Sequence, residues 1–222
     1  MRMTFLLAPF ALVAAAHAGT TVDLAAEASR PAANDLIRAT VYAEAAGKQP
    51  GELARRVNHD IAEALKTIRA RSGISVKSGA QHTFPVYGQA QQIEGWRMHA
   101  ELILESRDAA AVSELLGQLQ QMRLAVGSVA QMPAPETRRK VEDEATREAI
   151  GAFRQRAALV AEVLGKPYTI KHLNIQQGGH IPPMPMMRAA KGAPMAEAMP
   201  LPLEAGESQI TTNVSGQIEL AD

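Results

Sequence analysis

The segment Ile210-Thr211-Thr212-Asn213-Val214-Ser215-Gly216-Gln217-Ile218-Glu219-Leu220 carries apolar or β-branched side chains at 210, 212, 214 and 218, closed by Leu220. Polar residues hold 211, 213, 215, 217 and 219. A period of two is that of a strand with one buried face. Such a strand is not stable alone, so this one must complete a sheet formed by earlier residues and tie the two ends of the chain together.

Before it, residues 179–204 are dominated by Pro, Met, Ala and Gly. They are too poor in large apolar side chains to build a packed element and read as a long mobile loop. Tyr168–Ile175 reads as a strand. The longest helix is predicted from about Glu136 to Leu164, with Val141, Ala145, Ala149, Phe153, Val160 and Leu164 among its apolar positions. Gly165 and Pro167 are its stop.

Near the start, Thr21–Ala28 and Leu36–Ala45 read as a β-hairpin turned at Arg30-Pro31-Ala32-Ala33-Asn34. In the second of these strands Ile37, Ala39, Val41 and Ala43 share one face, opposite Arg38, Thr40, Tyr42 and Glu44. A helix follows, with Pro50 in its first turn, Leu53, Val57, Ile61, Leu65 and Ile68 in one stripe, and Gly73 as its stop. Two strands come next, Ile74–Phe84 and Ile93–Ser106, linked from Pro85 onward. In the later one Trp96, Met98, Ala100, Leu102 and Leu104 alternate with Arg97, His99, Glu101, Ile103 and Glu105. Asp108 is placed to cap a short helix lined by Val112, Leu115, Leu119 and Met122, and a strand over Leu124–Met132 follows.

Composition removes several classes of function. In 222 residues, 23 Lys and Arg balance 23 Asp and Glu, which leaves no basic footprint for a phosphate backbone, so nucleic acid is not an expected partner. The absence of cysteine excludes disulfides, Cys-ligated zinc, iron–sulfur clusters and thiol catalysis. Stability must come from burial, and at 46% hydrophobic the chain can build a core as one domain or two small lobes.

Residues 1–18 read as a secretory leader: Arg2 supplies the charge, Phe5–Ala15 the apolar run, and Ala16-His17-Ala18 the small residues before a cleavage after Ala18. The apolar run is too short and too interrupted by Pro9 to span a bilayer. Residues 19–222 are then expected to be periplasmic or secreted and not inserted in a membrane.

Motifs of catalysis are missing: the chain has no G-x-S-x-G elbow, H-E-x-x-H helix, P-loop or G-x-G-x-x-G turn. His59, His82, His99, His172 and His180 stand in no short metal-ligand spacing and read as surface or strand-face residues. His82 and His99 could meet across the hairpin of the third and fourth strands, but strand register is not legible in the sequence. Glu142-Asp143-Glu144, set among Arg138, Arg139, Lys140 and Arg147, read as a solvated helix face. Met184, Met186, Met187, Met195 and Met199 are soft ligands suited to copper(I), or sacrificial targets of oxidants; as padding of a flexible loop they need no function.

These segments resemble the SIMPL domain family, which includes the periplasmic YggE-like proteins and a periplasmic immunogenic antigen. The resemblance is carried by Asn34-Asp35, Asn58, Gly73-Ile74, Pro85-Val86-Tyr87, Gly95-Trp96, Leu164-Gly165 and Ala205-Gly206-Glu207, in that order over residues 20–222. Asn34 departs from a frequent proline and Trp96 from the usual tyrosine. The resemblance implies an α+β fold with antiparallel sheet, packed helices and a C-terminal strand returning to the sheet. It also implies a periplasmic or secreted location, assembly into large rings and an association with tolerance of oxidative and other envelope stress, with DNA-damage responses sometimes linked. It implies no catalytic residue.

The expectation is therefore a non-enzymatic periplasmic stress protein, a homo-oligomer acting through self-assembly or protein contacts, with no catalytic, cofactor-binding or metal residue assigned. Its rival is methionine-based copper(I) binding or oxidant scavenging. A hydrolase triad assembled in space around His82, His99 or His172 is the third reading.

Overall fold

The computed structural model describes residues 19–88, 91–179 and 206–221. The leader, His180 and the methionines at 184, 186, 187, 195 and 199 lie outside the described residues, as does nearly all of the expected loop. In chain order the elements are β1 (Thr20–Ala33), β2 (Leu36–Gly47), α1 (Pro50–Arg69), β3 (Ile74–Tyr87), β4 (Ile93–Ser106), α2 (Ala109–Gln121), β5 (Ala125–Met132), α3 (Pro135–Leu164), β6 (Tyr168–Gly179) and β7 (Glu207–Leu220). The fold is α+β with two antiparallel sheets, ordered β3-β4-β2-β5 and β1-β7-β6.

The expected β1–β2 hairpin does not form. Asn34 and Asp35 carry the chain from one sheet into the other, because β1 is paired with β7 and β2 lies between β4 and β5. The expected turn residues Arg30 to Ala33 belong to β1, where Pro31 is tolerated because β1 is an edge strand with one side free of ladder hydrogen bonds. Pro85 sits in β3, an edge of the other sheet, and continues that strand three residues past Phe84. β6 likewise runs four residues beyond Ile175.

The chain divides into two compact units. The larger comprises Ser29–Ala145 and Gly178–Thr211 and contains the four-stranded sheet. Register pairs Ala39 with Leu104, Val41 with Leu102, Ala43 with Ala100 and Ala45 with Met98. All of these are buried, and α1 and α2 pack on them. The α1 stripe centres on Leu53, Val57, Ala64 and Ile68, with Ile61 and Leu65 only partly covered. On α2, Leu116 joins Val112, Leu115 and Leu119 in the core. The Asp108 side chain accepts the Ala111 backbone N–H at 3.0 Å, the expected cap.

The smaller unit comprises Met1–Ala28, Thr146–Gln177 and Thr212–Asp222. Its core sets Ala149, Phe153, Ala157 and Ala161 of α3, one every fourth residue, against Ala26, Ala28, Val214, Ile218 and Leu220. Alanines at that spacing let the helix approach the sheet closely around the single large ring of Phe153. Leu164, expected on the apolar face, is 53% exposed, since Gly165 ends the helix there at φ +65°. The Gly165 N–H reaches Glu162 O at 3.1 Å and the Lys166 N–H reaches Ala161 O at 3.0 Å, the paired bonds of a Schellman cap. As the terminal alternation requires, β7 joins the sheet of the first strand.

Candidate functional site

Ala134, which precedes Pro135 at the start of α3, has no side-chain oxygen to satisfy the orphan N–H groups of a helix N-terminus. Asp35 supplies one from the connection that leads into β2. Its Oδ1 accepts the Ala134 N–H at 2.7 Å and its Oδ2 accepts the Thr137 hydroxyl at 2.8 Å. The first of these bonds does most to hold the Asp35 carboxyl below the usual carboxylate range, and Arg107, 3.8 Å away, adds to it against a cost of burial. Beside it, Asn34 donates its backbone N–H to Gly206 O at 2.9 Å and accepts the Ser208 hydroxyl at 2.7 Å. The Asn34-Asp35 pair thus clasps the entry of β7 and caps α3.

An open cleft of about 440 Å³ adjoins this junction, lined in part by Leu36, Gly73, Ser75, Glu105, Ser106 and Arg107. Its polar groups are already engaged. Glu105 is bound by Arg38 at 2.7 Å and Lys77 at 3.6 Å, and the Arg38 hydrogen bond is the largest influence lowering its pKa. The Ser106 hydroxyl donates to Gly73 O at 2.8 Å, Ser75 to Glu105 O at 3.3 Å, and Arg107 pairs with Asp35 and Glu136.

The far end of the β3–β4 hairpin is different in kind. Phe84, Val86, Tyr87 and Ile93 are 51, 38, 60 and 51% exposed, and register sets Tyr87 against Ile93. The opposite face of the same hairpin sends Trp96 toward the core. A concentration of large exposed side chains on one projection is the chemistry of a contact surface. The sequence reading ended the strand at Phe84; alternation carried on through Val86 was the signal available for it.

Among the histidines, His59 and His172 are exposed on α1 and β6. His82 and His99 do meet, as directly opposed residues of β3 and β4. His99 faces two carboxylates, Glu101 at 3.0 Å and Glu44 at 3.5 Å, not the hydroxyl that a triad would need. In the acidic run, Glu142 is paired with Arg138 one turn before it at 2.6 Å; only Asp143 is exposed, while Glu142 and Glu144 are half-buried, so the run is less solvated than its charge predicts. Among the described residues no helix is long and apolar enough to cross a membrane.

The SIMPL family, described as a protein of unknown function (DUF541), matches residues 22–218. No curated protein matches. Two solved structures, of AtUAH in complex with glyoxylate and with (S)-hydroxyglycine, align with 57% of this chain and 33% of theirs, at 15% identity and a TM-score of 0.24. The chain thus spans a third of their length, and a likeness at that score bears on neither fold nor activity.

Proposed function

The chain belongs to the SIMPL family, and from that premise we propose that it is a non-enzymatic periplasmic protein that works by self-assembly and protein contacts, in the tolerance of oxidative and other envelope stress. The observation that supports contact as its mode of action is the exposed apolar end of the β3–β4 hairpin, Phe84, Val86, Tyr87 and Ile93. Four such side chains in water cost solubility unless a partner surface covers them. The engaged polar groups of the cleft beside Asp35 support the absence of catalysis. The location and the stress association rest on the resemblance.

Light scattering on residues 19–222 at micromolar concentration tests this reading, with the Phe84→Ser/Tyr87→Ser double variant in parallel. The parent is expected as a discrete oligomer and the double variant as a smaller species. A parent that is monomeric and recovers no partner from periplasmic extract would overturn the proposal.

A further inference from the structure

We propose that β5 is a pairing edge: the β5 strands of two copies of this chain join antiparallel about a two-fold axis at Ala130, fusing their four-stranded sheets into one continuous sheet. This deepens the self-assembly reading, on which it rests, by naming a second interface separate from the hairpin end. A sheet edge leaves backbone N–H and C=O groups unpaired, and folded proteins guard such edges with charges and proline. Among the described residues the edges are β1 and β6 of one sheet and β3 and β5 of the other. β1 carries Asp23, Glu27, Arg30 and Pro31, β3 carries Lys77 and Pro85, and β6 carries Lys171. β5, by contrast, carries neither a charge nor a proline from Ala125 to Met132. Its pairing with β2 skips Gly127 at a bulge, then runs in unbroken register from Ser128 opposite Thr40 to Met132 opposite Leu36. Ala130 is the midpoint of that regular stretch.

Neutrality selects a second copy as the partner. In a two-fold antiparallel pair each strand meets its own sequence reversed, so a charge near the axis faces its own copy, and like charges directly opposed are destabilising. With the axis at Ala130, Ser128 opposes Met132 of the second copy and Val129 opposes Gln131, pairs that hold no charge. The register also keeps the sheet's faces consistent. Val129 and Gln131 oppose Ala39 and Ile37 of the core, while Ser128, Ala130 and Met132 lie on the other face. Directly opposed residues share a face, so an axis on a residue sets core side against core side, whereas an axis between residues would set Val129 against an outward side chain. The small side chain of Ala130 lets the two copies meet at the axis. In sequence, the chain's own tract before β7 is a poorer occupant. Pro182, Pro183, Pro185, Pro194, Pro200 and Pro202 deprive it of ladder donors, and its longest proline-free run, 186–193, carries Arg188 and Lys191.

The chain has no cysteine, so Ala130→Cys introduces a single thiol. Oxidation should link two copies through it, since opposed Cβ atoms of such a pair lie about 5 Å apart, near disulfide range. Thr169→Cys, on the edge strand β6, should stay unlinked under the same oxidant. In the Phe84→Ser/Tyr87→Ser background, which removes the hairpin contact, sedimentation at high micromolar concentration should show a dimer. Adding Ala130→Lys should reduce it to a monomer. Mixing the Ala130→Lys and Ala130→Glu forms in equal parts should restore the dimer, a rescue that a folding defect would not give. A monomeric double variant, a dimer indifferent to Ala130→Lys, or an Ala130→Cys protein that oxidises without linking overturns the pairing, whatever the hairpin does. So does protection of the 128–132 amides in a monomer that vanishes on deletion of residues 179–204, which would make the chain's own tract the occupant. A parent no larger than the charge-sensitive dimer would instead leave the pairing standing and remove the hairpin contact.

Discussion

The Asp35 carboxylate accepts the Ala134 backbone N–H at 2.7 Å across 99 residues of chain, so the cap of α3 is supplied by the residue that leads into β2 rather than by the helix's own flank. Replacing Asp35 by Ala removes this bond and the one from Thr137, and should cost about 1–2 kcal/mol. Asp35→Asn keeps an acceptor for Ala134 and should lose less. Urea unfolding followed by circular dichroism checks both, and equal stability of Asp35→Ala and the parent would contradict the capping role.

The same carboxyl sets part of the acid response. Asp35 is held below its ordinary value of 3.8 and Glu105 below 4.5. Because the unfolded chain binds a proton more readily than the folded one, the stability they contribute is complete above those ordinary values. It is lost as pH falls through the lower folded values. The urea midpoint should therefore drop between pH 5 and pH 3, and drop less in Asp35→Asn. Parallel losses in parent and variant would show that other groups govern acid unfolding.

Arg123 closes α2 in the left-handed conformation, at φ +70°, with the Leu124 N–H on Leu119 O at 3.0 Å and its own N–H on Gln120 O at 3.0 Å. This is the Schellman geometry that Gly165 adopts without steric cost at the end of α3. Arg123→Gly should therefore stabilise the protein by about 0.5–1 kcal/mol, read as a rise in thermal midpoint. A fall would mean that the Arg123 side chain contributes more than the backbone conformation costs.

Local chemistry made much of this fold legible. Asp108, Gly165 and the alternation of β2, β4 and β7 each announce an element through properties of a few neighbouring residues, whereas α1 ends at Arg69 with Ala70 as its cap, ahead of the expected stop at Gly73. What escaped was pairing. Arg30 to Asn34 have the composition of a turn, yet β1 extends through Arg30 to Ala33 because its partner is β7, nearly the whole chain away, and no local signal distinguishes a strand that turns back from one that crosses to another sheet. The opposition of His82 and His99 depends on the bulge between Ser78 and Gln81, a one-residue matter of register that side-chain pattern does not encode. The hairpin end was missed because Pro85 reads as a break, and only the edge position of β3 permits it.

Two glycines give a paired test of close approach in the smaller unit. A Cβ built on Gly216 in β7 would lie 2.2 Å from the His172 backbone oxygen, a contact that no rotation of a side chain can relieve. Gly216→Ala must push β6 away from β7, at a cost of about 1–3 kcal/mol, with faster hydrogen exchange in β6. Gly151, inside α3, has nothing within 4 Å of the same atom, so Gly151→Ala should gain about 0.5–1 kcal/mol through helix propensity alone. The two substitutions add the same methyl group, and their opposite signs isolate strand approach as the cause. If Gly216→Ala unfolds at the parent's midpoint, β6 and β7 do not approach as closely as 2.2 Å implies.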